Sequence, residues 1–152
     1  MLSPGTAAPD FELADENGET ITLRSLLESG PLILYFYPAD FTPGCTKEAC
    51  SIRDIHGDLA GVGLTVVGVS PQDHESHTRF KDQYDLPFRL LSDTEKTVIK
   101  RYDVDGPFGV GVRRVTYLIN EDGTIEDALQ ADVLVGRHTD FIRNAIRLRE
   151  SG

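Results

Sequence analysis

Two short runs of nearly unbroken apolar residues constrain this chain more than any other feature. They are Leu32-Ile33-Leu34-Tyr35-Phe36-Tyr37 and Leu64-Thr65-Val66-Val67-Gly68-Val69. Runs of this length without alternation read as strands buried on both faces. Between them, Ile52, Ile55, His56, Leu59 and Ala60 recur at three- and four-residue steps. That spacing predicts one amphipathic helix over 43–60, closed by Gly61 and Gly63. Two strands joined through a helix run parallel, with a right-handed crossover. The chain is thereby committed to an open sheet with helices packed on its faces.

The remaining segments extend that plan. Upstream, Phe11-Glu12-Leu13 and Thr20-Ile21-Thr22-Leu23 flank Asn17-Gly18, a hairpin turn signal. A short helix follows, with Ser25 as its expected cap and Gly30-Pro31 as its stop. Downstream, His77, Phe80 and Tyr84 form the inner stripe of another helix, and Phe88 to Leu91 read as a short strand. Asp93 is the expected cap of a helix carrying Val98, Ile99 and Tyr102, and 103–112 reads as a loop. Arg114 to Ile119 is a third strong strand, which Asp122-Gly123 turns into an antiparallel partner over 124–129. A final helix over 139–149 should turn Phe141, Ala145 and Leu148 inward. The expected fold class is α/β and thioredoxin-like: a mixed central sheet flanked by helices, with an N-terminal β-hairpin. At 152 residues the chain fits one domain, 1–152.

Charge removes several classes of function. Lys plus Arg is 15 and Asp plus Glu is 25, so the net charge is 15 − 25 = −10. Such a chain binds nucleic acid poorly and is repelled by anionic membranes. The most basic stretch, Arg137, Arg143, Arg147 and Arg149, is diluted by Asp140 and Glu150 and reads as a solvated helix face. The first residues lack the charged start and apolar core of a signal peptide, and no apolar run is long enough to span a bilayer. The expectation is a cytoplasmic protein, with no nucleic-acid or membrane partner.

The two cysteines, Cys45 and Cys50, are too few for the framework of a disulfide-stapled scaffold. Cys45 follows the first buried strand, where ligands bind in open α/β sheets. Thr42 is the expected hydroxyl cap of the next helix and Pro43 its first residue, which makes Cys45 the third. A sulfur there lies among unpaired backbone N–H groups, near the positive end of the helix dipole. A free thiol is only ~3% ionised at neutral pH. One held near 6 is roughly 90% ionised, about thirtyfold more nucleophile. Nucleophilicity falls as the thiolate becomes less basic, so the attacked bond must also be polarised.

Several readings of the pair remain open at this point. Both could be small buried hydrophobes. A zinc site could be written from Cys45, Cys50, His74 and His77, but a second cysteine pair is missing and the histidines lie on a later helix. All four histidines, His56, His74, His77 and His138, read more simply as partly buried or surface residues. A thioredoxin-type dithiol would need C-x-x-C, and this is C-x₄-C. Residues five apart in a helix are roughly 8.7 Å apart at Cα. A disulfide needs about 4.4–6.8 Å. If the two pair, the helix must open.

At these residues the sequence resembles the peroxiredoxins, whose Pro-x-x-x-Thr-x-x-Cys string is matched by Pro38, Thr42 and Cys45. The fuller Phe41-Thr42-Pro43-Gly44-Cys45-Thr46-Lys47-Glu48-Ala49-Cys50 is similar to the peroxiredoxin Q, or bacterioferritin comigratory protein, type. The resemblance runs from Pro9-Asp10-Phe11 to Arg114-Val115-Thr116-Tyr117-Leu118-Ile119 and the Asp122-Gly123 turn. It implies that Cys45 is the peroxidatic cysteine, oxidised to sulfenic acid by hydrogen peroxide or an organic hydroperoxide. Cys50 would resolve that acid into an intramolecular disulfide, and thioredoxin or a glutaredoxin would reduce it. It further implies that Thr42 hydrogen-bonds thiolate and peroxide, that Pro38 shields the sulfur from water, and that Arg114 stabilises the thiolate and the breaking O–O bond. Glu48 would orient that arginine. Arg113 and Arg114 point to opposite faces of a strand, so only one can reach Cys45; the motif selects Arg114. No cofactor or metal is implied, and a monomer is expected. The alternative from another class is a thioredoxin-fold redox sensor that oxidises once instead of turning over.

Overall fold

In the computed structural model, which describes residues 1–150, the N-terminal hairpin is β1 (Glu12–Ala14) and β2 (Thr20–Thr22). Helix α1 (Leu23–Leu27) follows, then β3 (Leu32–Phe36), α2 (Pro43–Asp54), α3 (His56–Gly61) and β4 (Thr65–Ser70). The chain continues through α4 (His74–Tyr84), β5 (Arg89–Ser92), α5 (Thr97–Arg101), β6 (Val115–Ile119), β7 (Ile125–Gln130) and α6 (Gly136–Glu150). The strands form one seven-stranded sheet in the order β2-β1-β5-β4-β3-β6-β7. Strands β3, β4 and β5 are parallel, with Ile33 opposite Val66 and Val67 opposite Arg89. Strand β6 runs antiparallel to β3, and β7 antiparallel to β6. This is the mixed thioredoxin-like sheet, with the expected hairpin at one edge.

The continuous apolar run of β3 has a simple cause. The strand is central, and both of its faces are covered. Leu32, Leu34 and Phe36 enter a core with Val67, Val69, Tyr102 and Tyr117. Ile33 and Tyr35 enter the opposite core with Ile52, Leu59, Phe80 and Ile142. Each such aliphatic side chain contributes about 1.5–3 kcal/mol on burial. The second core is where α2 and α6 pack, and Cys45 belongs to it. The Tyr117 hydroxyl donates to Tyr102 O (2.6 Å) and accepts from Leu2 N (3.0 Å).

The structure corrects several local expectations. The helix expected over 43–60 is two, because Ile55 leaves helical geometry (φ −109°, ψ 9°) and caps α2. Thr22, not Ser25, caps α1; Ser25 is the third residue of the helix and completes a reciprocal capping box. Asp93 is not adjacent to α5, whose first flanking residue is Lys96 in the left-handed region. Its buried carboxylate still reaches the helix start and accepts from Ile99 N (2.7 Å). Helix α6 begins three residues early and is rotated from the expected stripe. Ile142, Ala145 and Ile146 face inward, while Leu148 is exposed. His77 and His138, expected at least partly exposed, are fully buried. Among the described residues, no helix is long and apolar enough to cross a membrane.

Candidate active site

Strand β3 ends at Phe36, and the chain crosses the edge of the sheet through Tyr37 to Thr42 before entering α2. This crossing loop is held by a buried carboxylate that the sequence did not advertise. Asp40 accepts from the Tyr37 hydroxyl (2.6 Å) and the Ser76 hydroxyl (2.7 Å), and meets His77 Nδ1 at 2.7 Å. His77 Nε2 in turn donates to Leu91 O (3.1 Å), since a carbonyl only accepts. The loop is thus anchored to α4 and β5, and His77 is engaged elsewhere than in any cysteine–histidine metal set. Among the described residues, no group of three or more candidate metal ligands converges. Phe41 sits at φ +67°, a left-handed conformation that an aromatic residue rarely adopts. Its ring lies against Phe80 (centroids 5.2 Å) and Tyr84 (6.4 Å).

Thr42 occupies the cap position of α2, but its side chain makes no capping bond. The hydroxyl donates instead to Ala39 O (3.0 Å), which leaves its lone pairs for other partners. Pro43 is the first helical residue, and Cys45 is the third, as the spacing requires. Cys45 is buried, Cys50 and Pro38 are half-buried, and both thiols are free. The two cysteines lie in one continuous helix, the arrangement in which they cannot bridge.

Strand β6 begins at Val115, one residue later than expected, and Arg113 and Arg114 in the extended segment before it take different partners. Arg113 turns to Asp132 (3.5 Å) and stays 40% exposed. Arg114 is buried, and its backbone N–H donates to Asp132 Oδ1 (2.9 Å). Its guanidinium lies along the first turn of α2. A Cβ built on Gly44 would sit 2.8 Å from Arg114 Nη2, and Nη1 is 3.4 Å from Glu48 Oε1. Gly44 and Glu48 are four residues apart and share a helix face, with Cys45 at its margin. Glu48 is itself buried. Burial pushes its carboxyl up to about 8, and Arg114 offsets that only in part.

Gly44 is therefore needed for room. Its added methyl would meet the end of a flexible side chain, so the arginine would move and the backbone would stay. Gly44→Ala is expected to leave thermal stability nearly unchanged while lowering the rate of Cys45 oxidation by peroxide about tenfold or more. A melting curve and a rate measured by competition with a second peroxidase check this.

The structure brings Arg114 and Glu48 together along the first turns of α2, which carries Cys45 and is preceded by Thr42; Pro38 lies just beyond the end of β3, and Cys50 is further along the helix. It adds Gly44, Asp40 and His77, and also His138 of α6, which lies 3.7 Å from Glu48 Oε2. The only sequence signal for His138 was its place on the inner stripe of α6, four residues before Ile142.

The chain is similar to several known proteins. The family profile described as "AhpC/TSA family" matches residues 4–128. The protein called putative peroxiredoxin bcp from Coxiella burnetii is 45% identical over 130 residues, which cover 82% of this chain and 85% of that protein. Chloroplastic peroxiredoxin Q of Oryza sativa subsp. japonica is 43% identical over 126 residues, again 82% of this chain but 58% of the longer plant protein. Among solved structures, peroxidoxin BcpB from Mycobacterium tuberculosis superposes with a TM-score of 0.91 at 34% identity, covering 97% of this chain and 98% of that one.

Proposed function

The chain belongs to the AhpC/TSA family, within its Bcp/peroxiredoxin Q thioredoxin-dependent peroxidases, and on that premise we propose how its own residues reduce a peroxide. The supporting observation is the first turn of α2: Cys45 at its third position, with the Arg114 guanidinium against the preceding residue. The Cys45 thiolate attacks the distal oxygen of hydrogen peroxide or an organic hydroperoxide. The O–O bond breaks, the sulfur becomes a sulfenic acid, and the departing oxygen takes up a proton to leave as water or an alcohol. Arg114 stabilises the negative charge as it passes from sulfur to the leaving oxygen. Thr42, whose own proton is held by Ala39 O, accepts from the peroxide O–H and sets its angle. Pro38, half-buried where β3 gives way to the loop, keeps water from the sulfur.

The second half of the cycle asks α2 to open. The Cys50 thiolate attacks the sulfenic sulfur, the S–O bond breaks, and the displaced hydroxide takes up a proton to leave as water. Since five residues of helix hold the two sulfurs apart, the disulfide forms only as the turns between them unwind. A dithiol protein, thioredoxin or a glutaredoxin, then reduces it in a compartment such as the cytoplasm. Cys45, Cys50 and Arg114 all come from one chain, so a monomer suffices for every step. The acidic surface, −10 in net charge, leaves nucleic acid outside this reading.

Hydrogen exchange and intact mass test the proposal. One equivalent of peroxide should remove two hydrogens from the wild-type chain and strip amide protection from residues 45–50. Cys50→Ser should react once, gain one oxygen, keep its helix and stall under a thioredoxin-coupled assay. Unchanged amide protection in oxidised wild type, or sustained cycling by Cys50→Ser, would refute the mechanism.

A further inference from the structure

Glu48 is poorly compensated if it is only the partner of Arg114. The carboxyl is buried, its contact with the guanidinium is 3.4 Å, and Oε2 has no hydrogen-bond partner. A buried carboxylate left in that state is costly. It would also act against the chemistry, because −1 on Glu48 cancels the +1 on Arg114 that a thiolate nearby requires.

Helix α6 supplies what is missing. His138 is fully buried. Its Nε2 faces Ala131 O at 2.8 Å and must donate there. Its Nδ1 is then the variable edge, 2.8 Å from the Thr116 hydroxyl and 3.7 Å from the unpartnered Glu48 Oε2. Thr116 can donate to a bare Nδ1 or accept from a protonated one by rotating its hydroxyl. A proton can therefore sit on Glu48 or on His138 without any heavy atom changing place.

We propose that Glu48 and His138 hold one proton between them, and that His138 is thereby a positioning residue that leaves the positive charge of Arg114 uncancelled beside Cys45. The charge sum is the same wherever the proton resides. Neutral Glu48 with neutral His138, or carboxylate with imidazolium, each add zero to the +1 of Arg114. Removal of the proton brings the cluster to zero and takes away the counter-charge of the thiolate. This proposal rests on the reading of Cys45 as the peroxide-reducing sulfur.

The surroundings favour retention of the proton near neutral pH. Burial pushes Glu48 up to about 8 and pushes His138 below its ordinary value, with Arg114 and Arg137 adding to the latter, and Ala131 O and Asp132 opposing it. On β3, Tyr35 is buried with an unpartnered hydroxyl, and burial raises it well above the phenol range, so it stays neutral. Cys45 lies one turn before Glu48 on their shared helix, and Asp132 is already occupied by Arg113 and the backbone of Arg114.

The test is the pH profile of peroxide reduction, followed as the second-order rate of Cys45 oxidation in competition with a haem peroxidase. Wild type should lose rate above about pH 8 as the shared proton leaves. Two sites hold a proton more tightly than one. His138→Gln keeps an N–H for Ala131 O and removes the titrating Nδ1. Its alkaline midpoint should fall by about 0.3 pH unit where the two sites share the proton equally, a twofold change in the dissociation constant. Glu48→Gln, whatever the size of its rate, should lose the alkaline descent altogether. A folded His138→Gln with the wild-type midpoint would overturn the proposal, because a residue needed only to anchor α6 would be rescued by glutamine. If that variant does not fold, Glu48→Gln decides: a descent kept at the wild-type midpoint overturns the proposal, and a flat profile sustains it. Failure of wild type to consume peroxide would remove the functional reading and this proposal together. Normal turnover with coincident profiles would remove this proposal alone.

Discussion

Cys45→Ser is expected to abolish peroxide turnover, leaving only the uncatalysed background in a thioredoxin-coupled assay. A serine hydroxyl at the same helix position stays protonated at neutral pH and is a far poorer nucleophile than a thiolate. No neighbouring base is placed to activate it: burial pushes the Glu48 carboxyl up to about 8, and His138 Nδ1 faces Thr116 and Glu48 on α2's inner side. The exchange is nearly isosteric, so the fold should survive with a change of about 1 kcal/mol, the usual scale for one hydroxyl in a buried site. Measurable cycling in a folded Cys45→Ser protein would mean that the reacting sulfur is elsewhere, and Cys50 would be the only candidate.

The second large effect is expected at Arg114. Arg114→Met keeps much of the length and removes the charge. It should lower the rate of Cys45 oxidation by about 10²–10³, the cost of losing one preorganised charge-stabilising donor. Stability should suffer much less, because the orphaned Glu48 can remain protonated instead of being stranded as an ion. Arg114→Lys should recover only part of the rate. A single ammonium cannot lie flat against Gly44 while reaching Glu48 Oε1, as the planar fork does. A loss of less than about threefold in Arg114→Met would show that charge stabilisation comes mainly from the start of α2.

Much of this was legible in the chain. The β3 and β4 runs carry no alternation because both faces are covered, and that alone required flanking helices. The Thr42–Pro43 pair by itself sets Cys45 at the third position of α2. Other features were illegible for physical reasons. The break at Ile55 lies inside an uninterrupted helical periodicity, since α2 and α3 press successive parts of one apolar stripe on the same core. Leu148 and Ile146 differ in the sequence only by phase, and the packing of α6 on α2 decides it. The Asp40–His77 contact joins residues 37 apart. The Glu48–His138 approach joins residues 90 apart, as 138 − 48. Neither spacing leaves a local signature, and a buried histidine looks like an exposed one until its neighbours are known.

The position of α6 bears on how portable this chemistry is. The family profile ends at residue 128, and every residue of the cysteine motif lies before it. Asp132, which holds the backbone of Arg114, and His138, which stands over Glu48, both come after it. A chain trimmed to the span of that profile would keep the whole motif and lose the pieces that hold its arginine in place. Transplanting the ten residues from Phe41 to Cys50 into another α/β sheet would likewise carry over the nucleophile without its electrostatic setting. The unit that could be moved intact, or inherited intact, extends through the C-terminal helix.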